Sequence, residues 1–472
     1  MLSFRPFSFI FIIGFIVAQS TLNAQEFPIA VGSDTTFSGG AVYGGHNGLV
    51  AVCGNSLGQY FITAQLVGAP GYLIGPRIFL GSTGVVPGAL PLFDGKNYFL
   101  VWRDFNATLQ GQFIDTSGNT VGSAFTIATG VLLDQRFQHC VALGDSAFLA
   151  GFVKSDGYLY GQRVNKNGSL LGSVIQISNT QARDFCIAYD GTNYLLAWVV
   201  VASTGDKDIQ GQFVSSTGAL VGNNFVIDNG PNYSDNPTSL AFDGTRYLLA
   251  YHESPDTKTA WTIMGRFVTT LGTIGETTTL CDSSKHPAFP SIAFDQTNYL
   301  LTWLQSSNGA MMGRFYHTTG LPVDSPFVVF SSVGNKMPFG GIGFGGGLYL
   351  AVATRVDANF SDGDVYARFI QPTTTSVKDE ENLVVRTFAL SQNFPNPFNP
   401  TTTINYTIPT RSHVTLSVFN VLGQKVAELV NRSEEAGSYN ATFNATGLAS
   451  GVYLYRMYAG SFVQTRKLVV MK

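Results

Sequence analysis

The sequence predicts an all-β protein built from two unlike parts. Three observations carry that expectation: a composition poor in charge, a pattern of about fifty residues that returns seven times, and a change of charge and motif near residue 372. The 472-residue chain holds 52 Gly, 13% aromatic and only 12% charged residues, where ordinary globular chains are about one quarter charged. Such a mixture suits strands joined by tight turns, not helices or disorder. The hydrophobic residues fall in short alternating runs, a strand pattern and not a membrane span.

In chain order, the first element is a signal peptide at 1–24. Arg5 supplies a positive region, Phe7 to Val17 is an apolar run, and Leu22-Asn23-Ala24 offers a small-residue cleavage site before Gln25. That run is about half of the roughly 20 residues that a bilayer span needs. Four cysteines follow, at 53, 140, 186 and 281, with no metal-ligand pair and no compact disulfide framework among their spacings. Cys140 and Cys186 hold the same position in neighbouring repeats. They read as fillers of small buried slots, with a bridge between them as the alternative.

Residues 25–371 repeat. Phe93-Asp94-Gly95-Lys96-Asn97-Tyr98-Phe99-Leu100-Val101-Trp102 returns as Tyr189 to Trp198, Phe242 to Tyr251 and Phe294 to Trp303, with weaker copies from Leu143, Phe344 and Tyr43. The sixth residue gives seven anchors: Gly48, Tyr98, Phe148, Tyr194, Tyr247, Tyr299 and Tyr349. Each unit reads as a short apolar strand, an Asp-Gly type turn, a Tyr-Leu-Leu-Ala-Trp strand, a variable loop, a Gly-Gln-Phe strand, a Gly turn and a last strand such as Phe125-Thr126-Ile127. Four antiparallel strands in about fifty residues is the size of a propeller blade. One such sheet cannot cover both its faces, so the units must stack around an axis, and seven close a ring. A seven-bladed β-propeller is the expected fold. The seventh unit ends at Arg368-Phe369-Ile370 without a Gly turn or fourth strand, while Phe27-Pro28-Ile29-Ala30-Val31 is a spare strand. The last blade is therefore expected to be completed by the chain start, which hides two sheet edges. The repeat resembles a secreted bacterial family with the pattern Asp-Gly-x-Asn-Tyr-Leu-x-x-Trp, a resemblance that implies the fold and says nothing of activity.

Residues 372–387 are polar and aperiodic, a linker. Charge then changes sign: residues 25–372 hold 17 Lys and Arg against 24 Asp and Glu, whereas residues 388–472 hold 7 against 3. Such a shift marks two units with different partners, and neither balance suggests nucleic acid. Residues 388–472 carry Asn393-Phe394-Pro395-Asn396-Pro397-Phe398-Asn399-Pro400, then Val414 to Val426 with Gly423, then Gly437, then Gly451-Val452-Tyr453, and finally Lys467 to Lys472. In order and placement these segments closely resemble the type A sorting domain of the type IX secretion system of Bacteroidota and their relatives. The resemblance implies an immunoglobulin-like β-sandwich, the type IX secretion machinery as partner, and a route through the periplasm to the medium or the outer cell surface.

No catalytic motif stands out: there is no HExxH, Walker loop, GxSxG or helix-opening GxGxxG, and the six His are scattered. The inner strands read as small and apolar, which leaves the loops after the Trp strand as the candidate ligand rim, with a solvated surface as the plain alternative. Arg103, Asp104, His252, Glu253, Trp261, Arg355 and Asp357 are its polar and aromatic members. Asp357, Asn359, Asp362 and Asp364 form an oxygen-rich run suited to calcium, although its Gly lies one place later than an EF-hand loop requires; no other cofactor is expected. Trp102, Trp198 and Trp303 hold a repeat position and read as blade packing. Two function classes follow: a secreted binding or adhesion module for an extracellular glycan or protein, or a secreted hydrolase or lyase with catalysts on the loops. A carboxylate pair at the channel mouth would favour the second, and an aromatic rim without one the first.

Overall fold

The computed structural model describes residues 26–31, 35–56, 59–83, 89–104, 106–132, 140–201, 207–230, 233–254, 261–332, 337–356, 363–373, 388–390, 392–393, 396–434, 437–460 and 462–471. Residues 1–24, where a signal peptide is expected, and residues 374–387 of the expected linker lie outside them. About three-quarters of the described residues are strand, with one 3-10 turn at Ser283–Lys285. The chain divides into two compact units, residues 1–373 and 374–472.

The first unit contains seven antiparallel four-stranded sheets among the described residues. Six are contiguous in sequence, with the strands laid side by side in chain order; the fourth, for example, uses Arg183–Tyr189, Asn193–Val201, Lys207–Ser215 and Leu220–Asp228. The seventh is composite. Met337–Gly345, Leu348–Val356 and Gly363–Ile370 are completed by Phe27–Ala30, which pairs antiparallel with the last of them, Phe27 opposite Ala367 and Ala30 opposite Val365. This is the closure that the missing fourth strand predicts. Phe27 and Ile29 are buried and Pro28 is exposed, the placement expected of a proline on an edge strand. Phe27 also stacks on Phe369 at 6.0 Å.

Each part of the repeat has a physical task. The aspartate of the first turn accepts two backbone N–H groups: Asp190 Oδ1 from Thr192 and Asn193, Asp243 Oδ1 from Thr245 and Arg246. The glycine that follows is left-handed, with φ near +93° at both Gly191 and Gly244. In the sixth blade that site holds Gln296, at φ +79°, a conformation that costs an L-residue about 1–2 kcal/mol. Gln296→Gly is therefore expected to stabilise the propeller by about 0.5–1 kcal/mol after the glycine's extra unfolded-state entropy. A rise in the urea midpoint at unchanged slope is the check, and an unchanged midpoint would contradict it.

The Gln of Gly-Gln-Phe supports a bulge. Between the third and fourth strands the register slips, as at Gly111/Phe113, and Gln112 Nε2 points into the slip toward the carbonyls of Phe113, Val121 and Gly122 at 2.8–3.2 Å. Gln65, Gln162 and Gln212 repeat the arrangement, and Arg266 reaches the matching carbonyl of Gly275. Buried backbone acceptors freed by the bulge are thus satisfied, as they must be away from water.

The anchor tyrosines join blades. Tyr98 Oη donates to the Asn47 carbonyl at 2.6 Å, Tyr194 to Ala147 at 2.8 Å, Tyr247 to Asn193 at 3.1 Å and Tyr349 to Asn298 at 3.2 Å, in each case on the preceding blade. Phe148 and Gly48 hold the anchor position without a hydroxyl. The joint at Gly48, between the seventh and first blades, is made by close backbone approach: a Cβ on Gly343 would meet the Ala41 carbonyl oxygen, and one on Gly363 the Thr36 carbonyl oxygen, each at 2.3 Å. Trp198 and Trp303 are fully buried between blades and Trp102 nearly so. All four cysteines are free thiols, and Cys140 and Cys186 are buried.

The second unit packs a three-stranded sheet, Ala389–Leu390, Thr401–Ile408 and Gly437–Asn444, with a four-stranded sheet ordered Lys425–Glu434, Ser412–Phe419, Gly451–Ala459 and Phe462–Val470. Val414, Leu416 and Val418 from one strand and Tyr453, Tyr455 and Met457 from its neighbour form one core with Ile404, Tyr406 and Ile408. This is a β-sandwich whose inward residues alternate as half-buried strands should.

Candidate functional site

The inner strands of the blades enclose an axial channel with a volume of about 370 Å³. Its lining residues carry no charged side chain: Leu90, Leu92, Val141, Leu240, Ile292 and Ile342 form much of the wall. In the first and seventh blades Gly39, Gly40, Gly340, Gly341 and Gly343 leave bare backbone there. Tyr189, Phe242, Phe294 and Phe344 end the inner strands of four successive blades. They therefore gather at one mouth, that of the Asp-Gly turns. Each ring leans on the anchor tyrosine of its own blade at 4.7–4.9 Å. This collar escaped the sequence reading, although its signal was visible as an aromatic directly before the Asp-Gly turn.

The rim candidates meet varied fates. Asp104 is a loop organiser: its carboxylate accepts the backbone N–H groups of Asn106 and Thr108, the Thr108 hydroxyl at 2.6 Å and Gln110 Nε2 at 3.0 Å. Burial pushes its carboxyl up, but these bonds outweigh burial and hold it below the usual carboxylate range. Arg103 is buried and donates Nε to the Val131 carbonyl at 3.0 Å. Arg355, also buried, pairs with Glu26 at 2.6 Å, donates to the Ser331 carbonyl at 3.1 Å and lies over the Tyr366 ring at 4.3 Å. Its partner precedes the closing strand, so this arginine latches the ring.

His252 and Trp261 come together on the fifth blade, while Glu253, next in the strand Arg246–Ser254, points to the other face. His252 is buried with its ring 4.4 Å from that of Trp261, and Phe289 stands edge-on at 6.5 Å. Phe289 has φ +53°, an unusual conformation for a bulky residue. Glu253 and Trp261 are half-buried. Of the calcium candidates, Asp364 is half-buried on the strand Gly363–Ile370, while Asp357, Asn359 and Asp362 lie outside the described residues. Among the described residues no group of three His, Cys, Asp or Glu is placed to hold a metal ion.

In the sandwich, the motif segment Asn396–Pro400 runs along one edge of the four-stranded sheet. Asn393 is buried: its backbone N–H donates to Tyr455 Oη at 2.8 Å, its Nδ2 donates to Thr402 Oγ1 at 2.9 Å, and its Oδ1 accepts Gln392 Nε2 at 2.8 Å. Asn396 Oδ1 accepts the Val469 N–H at 2.8 Å. Phe398 bonds Val469 and Met471 through its backbone and packs edge-on against Phe443. The Pro400 carbonyl accepts the Ala445 N–H at 2.8 Å, and the Lys467 carbonyl accepts Gln392 Nε2. The segment Asn396–Pro400 thus covers part of the open edge of Phe462–Val470, which its prolines could not do as a regular strand. Pro397 and Asn399 belong to this segment, and Pro395 lies outside the described residues. Gly423 turns at φ +78°, where Asn420 Oδ1 accepts two backbone N–H groups. Gly437 and Gly451 open strands, and Tyr453 Oη donates to the Ala449 carbonyl at 3.0 Å.

Residues 392–471 match the family model of the secretion system C-terminal sorting domain. No curated protein matches the chain. Among solved structures, the BP39L lectin from Burkholderia pseudomallei is similar at TM-score 0.51 and 14% identity, over 72% of this chain and 96% of that one. The β-propeller domain of the Trilobed protease from Pyrococcus furiosus aligns at TM-score 0.45 and 10% identity, over 72% of this chain and 98% of that one. Among the described residues no helix is long and apolar enough to cross a membrane. The chain is an all-β protein whose seven-bladed β-propeller is followed by a C-terminal sorting domain of the type IX secretion system, which directs it to the cell surface or the extracellular space.

Proposed function

We propose that the propeller, residues 25–371, is an extracellular binding or adhesion module, delivered by a signal peptide at 1–24 and by the sorting domain at 388–472 beyond a linker. The observation that carries this reading is the axial channel: an uncharged wall opening through the aromatic collar of Tyr189, Phe242, Phe294 and Phe344. A wall of this kind holds a ligand by apolar contact and ring stacking, and supplies no acid, base or metal to it. The described ionisable rim residues Arg103, Asp104 and Arg355 are engaged in loop and latch bonds. A glycan or protein group with an apolar face, entering at the collar, is the ligand class that fits. His252 and Trp261 offer a second patch, and the run from Asp357 to Asp364 a calcium-dependent one.

The test is a glycan and extracellular-matrix array developed with purified propeller, with and without calcium. Phe242→Ala with Phe294→Ala is expected to weaken the captured ligand by about ten- to a hundredfold, as loss of buried aromatic anchors does. Binding unaffected by that pair would move the site off the channel. Cleavage of an array ligand would replace this reading by the hydrolase or lyase one.

A further inference from the structure

In a sandwich the outward face of each sheet normally turns polar. The four-stranded sheet of the sorting domain departs from that rule on its last two strands, Gly451–Ala459 and Phe462–Val470. Cross-strand pairs put Val452 beside Val469, Leu454 beside Lys467, and Tyr458 beside Val463. The opposite face of the same strand already holds Tyr453, Tyr455 and Met457 in the core, so these pairs are its outward side. Val452 and Tyr458 are each 42% exposed and Val463 53%. Arg456 lies among them, donating Nε to Thr465 Oγ1 at 2.9 Å and Nη1 to Tyr458 Oη at 3.3 Å. Among the described residues no carboxylate pairs with Arg456 or Lys467. The domain's described acids are held elsewhere, Glu434 by Arg432 at 2.8 Å and Glu428 by Lys425 at 2.7 Å.

Exposed apolar side chains set around unneutralised cations mark an interface. We propose that this face is where the sorting domain docks, and that its partner is a component of the type IX machinery presenting an apolar surface bordered by carboxylates. The match to a sorting domain supplies the class of partner, and the charge of the face supplies its complement. The inference rests on the sorting role but is separable from it, because the sorting role requires only that the domain be recognised somewhere.

The test uses the full chain in a host with type IX machinery. Arg456→Glu with Lys467→Glu, and separately Tyr458→Asp with Val463→Asp, are expected to lower the extracellular protein by about tenfold or more, as loss of interface anchors does. Protein recovered from the cells should melt as the wild type does, because all four positions face outward. Leu271→Asp, a solvent-facing apolar-to-acid change on the propeller (91% exposed), should be exported normally. Normal export of both folded double variants overturns the proposal while leaving the sorting role intact, whereas normal export of a chain lacking 388–472 removes the sorting role itself. Two other results also overturn it. One is an anionic vesicle that binds the wild type and not the variants while their export is normal. The other is a wild-type dimer that the variants dissolve, again with normal export.

Discussion

Removing residues 26–31 is expected to lower the melting temperature of the propeller by about 7 °C, the shift that a loss of about 5 kcal/mol gives in a domain of this size. Most of the loss comes from Phe27 and Ile29, both buried between the last and first blades; truncating such side chains costs about 2–5 kcal/mol each. The deletion also strips Arg355 of Glu26. Glu26 is about a third exposed, so solvent screens that pair and its share is smaller. Finally, it bares the outer edge of Gly363–Ile370, an open template for pairing with another chain. Melting curves and light scattering on the deleted and intact propellers check both consequences. A deleted protein that melts as the intact one and stays monodisperse would mean that the closing strand does not hold the ring.

Deleting residues 388–472 is expected to abolish export without unfolding the propeller. The sandwich has its own core, built from Leu416, Val418, Tyr455 and their neighbours, and the two units are separate compact bodies. The truncated chain should therefore be recovered from the cells with the melting curve of the intact propeller, while the medium falls to background. Asn393→Ala should act in the same direction but through the fold of the sandwich, since it removes the buried side-chain bond to Thr402 and the part-buried one from Gln392. Each unsatisfied buried partner costs about 1–3 kcal/mol. Export of the truncated chain at normal yield would remove the assignment of 388–472 as the address.

The architecture was legible because repetition multiplies a weak local signal. A single Asp-Gly turn says little; seven turns at a steady spacing give the sheet, the ring and the missing strand. Reading the last unit against the others was enough to assign Phe27–Val31 to its edge, of which Phe27–Ala30 forms the strand. The interlocking tasks of the repeat residues were not legible, because they act across blades. Nothing in one unit tells that Tyr194 Oη meets the carbonyl of Ala147 on the preceding blade. Arg355 read as a rim residue because it follows a strand into a variable loop. Its partner, Glu26, lies 329 residues away and outside any repeat, a pairing that only the closed ring creates. The collar was overlooked for the opposite reason: its aromatics are so regular that they served only to mark where each repeat begins.

The closing strand also imposes an order of events. The chain is made from its first residue onward, so the segment that completes the ring is the earliest of the propeller to exist and the last to find its place. Thr36, just beyond it, bonds the Gly363 carbonyl across 327 residues, and bringing together the ends of a chain that long costs about 5 kcal/mol from length alone. The blades between can form one after another from neighbours in sequence, each ready when its fourth strand emerges. Phe27–Ala30 must wait through all of them, exposed and without its proper neighbour. Its brevity and its proline suit that wait, since four residues with one missing N–H make a poor template for a wrong partner. The strand that closes the finished ring is thus also built to remain inert until the ring is there to receive it.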